Sequence, residues 1–234
     1  MKTIGLMGGM SWESSIEYYR IINQLIQERL GGYHSAKCVL VSVDFADIEE
    51  KQKQGDWDGA AALMIEAARQ VENAGGNFLL ICTNTMHLLA DRVQTAVSIP
   101  LIHIADATAQ AVIALGITEV GLLGTKFTMQ EDFYRGRLEK LFDLKVRIPD
   151  SADMEIVHDV IYQELVHGVI NTNSKEEYLR IIGNLTKRGA QGIILGCTEI
   201  GLLVKQEDTP IPLFDTTRIH AEAAVNYAFT VEDQ

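Results

Sequence analysis

Cysteine and proline are scarce in this chain of 234 residues, with three of the former and four of the latter. Cys38, Cys82 and Cys197 are odd in number and lie in no CxxC or metal-ligand spacing, so neither a disulfide scaffold nor a cysteine-built zinc site is expected. Basic charge is also in deficit. Formal net charge is -12 and the pI about 4.9, which sets the protein's own field against phosphate and excludes nucleic acid and anionic membranes as expected partners. No apolar run approaches the roughly 18 residues that span a bilayer. The opening MKTIGLMGG is too short and glycine-rich for a secretory signal. Reduced thiols and the missing signal together predict a cytoplasmic protein.

What is present is the balance of a globular fold: 47% hydrophobic and 22% charged residues. Short Val/Ile/Leu runs alternate with amphipathic segments. Strands are expected at Thr3–Met7, Cys38–Val43, Phe78–Cys82, Leu101–Ile104, Val120–Leu123, Lys145–Ile148, Gly192–Gly196 and Leu213–Phe214. Helices are expected at Glu13–Arg29, Gly59–Asn73, Ser174–Arg188 and Thr217–Phe229. Such continuous apolar runs suit parallel strands covered on both faces.

The chain is also written twice. Ile4-Gly5-Leu6-Met7-Gly8 matches Val120-Gly121-Leu122-Leu123-Gly124, 116 residues on, with Tyr18 and Tyr134 at the same offset. Ala74-Gly75-Gly76-Asn77 through Thr83-Asn84 matches Arg188-Gly189-Ala190-Gln191 through Cys197-Thr198, 114 residues on, and Ile99-Pro100-Leu101 matches Ile211-Pro212-Leu213, 112 residues on. The reading is an α/β fold of two pseudo-symmetric lobes, 1–115 and 116–234, each a parallel sheet flanked by helices, with the C-terminal segment free to pack back on the first. Ligands of open α/β sheets bind beyond the carboxyl ends of the strands. Thr83 and Cys197 occupy equivalent strand ends, so the duplication predicts that they flank one ligand in a cleft between the lobes.

Cys197 follows Gly196 and precedes Thr198-Glu199, where a helix is expected to start. A thiol at a helix N-terminus has its pKa lowered by the dipole, which would make it a base or nucleophile; the alternative is a buried core cysteine. Asn84, Thr85 and Thr198 carry hydroxyls and an amide at expected helix starts, suited to a small carboxylate or to plain capping. The Gly5-x-x-Gly8-Gly9 turn lacks dinucleotide spacing, which argues against nicotinamide or flavin. The six histidines form no compact ligand motif, so no metal is expected.

With these residues in view, the segments Thr3–Met10, Thr83-Asn84-Thr85-Met86-His87 and Gly196-Cys197-Thr198-Glu199 resemble the signatures of the aspartate/glutamate racemase superfamily, most of all its aspartate-racemase-like amino-acid racemases. The resemblance covers essentially the whole chain. It implies an enzyme with no cofactor and no metal, in which two opposed residues move the α-proton of an amino acid, and it implies a homodimer. The sequence departs from the usual cysteine pair, since Thr83 stands at the first position; an asymmetric Thr/Cys pair belongs to the L-aspartate/glutamate-type branch. The resemblance assigns Cys197 as base and Thr83 as donor on the opposite face, for L-aspartate, L-glutamate or a broader set such as homoserine. It also brings Met10, Thr125 and Thr128 to the substrate. The family's basic side-chain ligands fall near Glu49 and at Val166 here, leaving Lys51, Gln52 and Lys53 as substitutes, or as a solvated charged surface. Two rivals stay open: a one-cysteine lyase resembling arylmalonate decarboxylase, and a non-catalytic small-ligand binder.

Overall fold

The computed structural model describes residues 1–230, which divide into two compact units. One is Met1–Ile104 together with the described residues from His220; the other is Ala105–Ile219.

In the first unit the chain runs β1 (Ile4–Gly8), α1 (Trp12–Leu30), β2 (Cys38–Ser42), α2 (Phe45–Gln54), α3 (Trp57–Asn73), β3 (Phe78–Ile81), a 3-10 turn (Thr85–Leu89) and α4 (Ala90–Ala96), with α5 starting at Ile104. The sheet is parallel, in the order β2-β1-β3. One face buries Met7, Leu79 and Ile81 against Ala60, Met64, Ala67, Ala68 and Val71 of α3 and Val93 of α4. The other face buries Ile4, Leu6, Phe78 and Leu80 against Tyr18, Ile21, Ile22 and Ile26 of α1 and against Ala221, Ala224, Val225 and Ala228. The small residues at α3 positions 60, 61, 67 and 68 let that helix lie close to the strands. Each fully buried Leu, Ile or Met contributes about 2 kcal/mol.

The second unit continues with α5 (Ile104–Ala114), β4 (Glu119–Gly124), α6 (Lys126–Gln130), α7 (Arg135–Phe142), β5 (Lys145–Arg147), α8 (Ser151–Gln163), a 3-10 turn (Leu165–His167), α9 (Thr172–Lys187), β6 (Gly192–Gly196), α10 (Ile200–Leu203), a 3-10 turn (Gln206–Asp208), β7 (Leu213–Asp215) and the start of α11 (Thr216–Ala228). Its sheet, also parallel, has the order β5-β4-β6-β7. Helices α6, α8 and α9 pack against β4, and Tyr178, Ile181, Ile182 and Leu185 form the buried stripe of α9.

The two sheets repeat one wiring. Ile4 pairs with Phe78 in one, and Val120 with Gly192 in the other. The amide of Leu79 donates to the Pro100 carbonyl at 2.9 Å, as that of Ile193 does to Pro212 at 2.8 Å. These registers align the three matched sequence segments residue for residue. The expected strand Leu101–Ile104 needs correction. In the first unit only the bridge Leu79–Leu101 forms, because α5 begins at Ile104, whereas the matching β7 pairs over three residues. Tyr134 likewise sits at the N-cap of α7, not inside the helix that follows β4, although it is fully buried as Tyr18 is.

Candidate active-site residues in the two units

In the first unit the site is built where β1 and β3 end. Gly9 turns the chain with φ +93, and a Cβ there would meet the Val43 carbonyl oxygen at 2.1 Å; only glycine fits. Ser11 then caps α1, accepting from the Ser14 amide at 3.4 Å. Ser15 Oγ accepts from the Gly9 amide at 2.7 Å, and Ser14 Oγ donates to the Cys82 carbonyl at 3.0 Å. The start of α1 is thereby tied to the residue before Thr83. The expected site residues did not include this serine set; a serine just ahead of the expected helix was the signal for the cap, and nothing in the sequence signalled its link to the β3 end.

Cys82 is fully buried in the face covered by α1, and burial pushes its thiol far above the ordinary range. Thr83 is half-buried. Its carbonyl accepts from His87 Nδ1 at 2.8 Å, and His87 Nε2 accepts from the Ile104 amide at 3.2 Å. Both ring nitrogens of this buried imidazole are therefore committed, and they fix the Nδ1–H tautomer. Asn84 and Thr85 are buried at the head of the 3-10 turn that follows.

The other expected residues of this unit have the following contacts. Met10 packs its side chain into the apolar cluster with Ile48 and Met64. Gln52 points its amide at Met86 Sδ, 3.0 Å away. Lys53 pairs with Glu49 at 2.6 Å with its side chain 74% exposed, and Lys51 pairs with Asp56 at 2.9 Å. Lys53 thus stands in solvent on α2, while the Lys51 side chain is partly buried.

In the second unit β4 and β6 end side by side on paired glycines. A Cβ on Gly196 would lie 2.9 Å from the Leu123 carbonyl oxygen, and one on Gly124 3.0 Å from that of Gly196. Thr125 caps α6; its Oγ1 accepts from the Thr128 amide at 3.3 Å and lies 3.2 Å from Thr128 Oγ1. Both threonines are buried. At the end of β6, Thr216 Oγ1 donates to the Leu195 carbonyl at 2.8 Å.

Cys197, half-buried, donates from Sγ to Glu199 Oε2 at 2.9 Å. Thr198 Oγ1 donates to the same oxygen at 2.5 Å. The expectation of a dipole-lowered thiol is overturned here. The helix that follows, α10, has four residues and begins only after Glu199, so its dipole is slight. Burial first, and then the Glu199 carboxylate, push the Cys197 thiol well above its ordinary range. Part of the residue still reaches solvent, so the Glu199 contact is the firmer of the two causes. Glu199, 5% exposed, was quoted in the sequence motif without a role; its contact with sulfur is the signal that motif alone did not carry.

Among the described residues no helix is long and apolar enough to cross a membrane, and no group of three or more His, Cys, Asp or Glu could hold a metal ion.

Comparison with known proteins supplies the class. Residues 7–224 match the family model described as Asp/Glu/hydantoin racemase. A structure from Yersinia pestis, described as a candidate Asp/Glu racemase, superposes with a TM-score of 0.93 at 52% identity over 98% of this chain and all of that one. An aspartate racemase homologue from Pyrococcus horikoshii OT3 superposes with a TM-score of 0.87 at 34% identity over the same shares. A broad-specificity amino-acid racemase of Bacillus subtilis (strain 168) is 22% identical over 178 residues, 73% of each chain. The chain belongs to the Asp/Glu/hydantoin racemase family, the one its motifs resemble.

Proposed function

We propose that the protein interconverts the enantiomers of an amino acid without a cofactor, Cys197 removing the α-proton of the L form and Thr83 donating on the opposite face. One observation carries the reading. In the parallel registers Met7 pairs with Ile81 and Leu123 with Leu195, so Thr83 and Cys197 lie two residues beyond equivalent pairs, at the carboxyl ends where such sheets bind ligands.

The α-proton of an amino acid is very weakly acidic. A thiolate removes it only where preorganised donors hold the developing negative charge. Asn84, Thr85, Thr125 and Thr128 are the polar groups this reading assigns to the substrate carboxylate; Thr198, expected among them, gives its hydroxyl proton to Glu199 instead. A threonine hydroxyl is no standing base at neutral pH, so turnover is faster from the L side, while the equilibrium between enantiomers stays near unity. The substrate class is L-aspartate, L-glutamate or a broader set including L-homoserine; the Bacillus subtilis relative is itself described as broad in specificity. A cytoplasmic homodimer is the setting we assign, and light scattering of the purified protein checks its oligomeric part.

The rival is a one-cysteine lyase, favoured by the fact that only one member of the strand-end pair is a thiol. Polarimetry of amino-acid enantiomers with wild type, Cys197→Ser and Thr83→Ala decides. Loss of turnover in Cys197→Ser supports the racemase, whereas carbon dioxide release from an aryl malonate, with no change of rotation for any amino acid, supports the lyase.

A further inference from the structure

We propose that Glu199 is the positioning residue of Cys197, the two forming a dyad that holds one proton between Sγ and Oε2. The inference rests on the catalytic reading of Cys197 given above. Its ground is geometric: a carboxylate 5% exposed accepts from the thiol at 2.9 Å and from the Thr198 hydroxyl at 2.5 Å on the same oxygen. A buried carboxylate with two short donors on one oxygen is aimed by its neighbours, and Thr198 acts as the clamp that keeps Oε2 facing sulfur.

Base formation then needs no outside acceptor. The S–H bond breaks, the proton passes to Glu199 Oε2, and the electron pair remains on sulfur as thiolate. The thiolate takes the substrate's α-proton and becomes thiol again. The Thr83 O–H bond breaks, its proton going to the opposite face of the carbanion and the electron pair staying on oxygen; Glu199 then loses its proton to water as the Thr83 alkoxide takes one from water, which restores the starting charge. With one proton shared, formation of the thiolate is governed by the balance of proton affinity within the pair.

Other ionisable groups lie on the neighbouring elements of this unit. Helix α9 supplies Tyr178, whose phenol is raised well above its usual range by burial, then by Cys197 and Glu164. The end of β7 supplies Asp215, whose Oδ2 would lie 3.2 Å from a Cβ on Gly201, and Lys205 Nζ donates to the Gly201 carbonyl at 2.5 Å. The turn Leu165–His167, which packs against α10, brings His167. Glu199 is the group that accepts from Sγ.

The test reads Cys197 directly as well as turnover. Site-resolved alkylation by iodoacetamide is followed by mass spectrometry from pH 5 to 10 in wild type, Glu199→Gln and Glu199→Asp. Racemisation of L-aspartate, L-glutamate and L-homoserine is measured over the same range. In Glu199→Gln the alkylation midpoint of Cys197 moves to lower pH, because the neighbouring negative charge is gone. Yet kcat falls about 100-fold with KM little changed, because the thiol has lost its internal proton acceptor, and the pH dependence of turnover then follows ionisation of the thiol alone. Glu199→Asp restores part of the rate and serves as the folding control. Identical alkylation and pH profiles in wild type and Glu199→Gln overturn the dyad. If Cys197→Ser retains turnover, the catalytic reading fails instead, while the alkylation shift still reports on the dyad.

Discussion

The carbonyl of Thr83 accepts a 2.8 Å hydrogen bond from Nδ1 of His87, four residues further along the chain. With Nε2 accepting from the Ile104 amide at 3.2 Å, this neutral imidazole joins the end of β3 to the start of α5. His87→Ala would remove the hydrogen bonds to the Thr83 carbonyl and the Ile104 amide and leave a cavity in place of a buried ring, a loss of about 3 kcal/mol. We expect a lower denaturant midpoint and reduced turnover together, because the backbone that aims Thr83 is released; His87→Gln, which can serve one of the two groups, should recover part of each.

The same region makes the fold acid-sensitive. His220 is buried, donating from Nε2 to the Ile102 carbonyl and accepting from Tyr18 Oη on Nδ1, both at 2.8 Å. Burial lowers its pKa to about 4. Burial, then His103 and His220, lower that of His87. A depressed histidine contributes stability that is complete above its unfolded value near 6.5 and is lost as pH falls toward the folded value. Between pH about 6.5 and 4, His220 alone accounts for about 3 kcal/mol. Urea unfolding across that window should show stability falling with pH; a flat profile would contradict the assignment.

Gly9 and Gly32 make a matched pair for the first turn. Both have positive φ, but a Cβ at Gly9 would strike the Val43 carbonyl oxygen at 2.1 Å, while at Gly32 it meets open space. Gly9→Ala should cost more than about 3 kcal/mol or prevent folding, and Gly32→Ala only about 1 kcal/mol of backbone strain. Thermal unfolding of the two variants compares them directly.

Lys53 tests whether α2 reaches the substrate. Its ammonium is largely solvated and paired with Glu49. Lys53→Ala should therefore leave KM unchanged for L-aspartate, L-glutamate and L-homoserine alike and move stability by no more than about 0.5 kcal/mol. A KM that rises for the two acidic substrates and not for homoserine would restore this lysine to the binding site.

Much of the architecture was legible because buried parallel strands read as unbroken apolar runs. Gly192–Gly196 was expected with the bounds observed, and the duplicated segments fall in register. Where reading failed, short-range chemistry decided. Helix α2 was not expected as a helix, since its Glu49–Lys53 stretch is polar and only Ile48 among its residues is buried; the signals were Asp44, which accepts from the Ala46 amide, and Gly55 in the left-handed region. Leu101 looked as strand-like as Leu213, but α5 begins three residues later and ends the pairing. At Cys197 the motif gave the position of the thiol and misled on its acidity, because burial and then the Glu199 carboxylate outweigh a dipole from a helix too short to matter.

The most direct measurement is exchange of the α-hydrogen of L-aspartate, L-glutamate and L-homoserine in deuterium oxide, followed by NMR, for wild type, Cys197→Ser and Thr83→Ala. Proton removal by Cys197 predicts exchange by wild type with at least one substrate and its loss by about 100-fold or more in Cys197→Ser. It also predicts that Thr83→Ala retains exchange from the L form while inversion falls. Full exchange and inversion by Cys197→Ser would contradict the account.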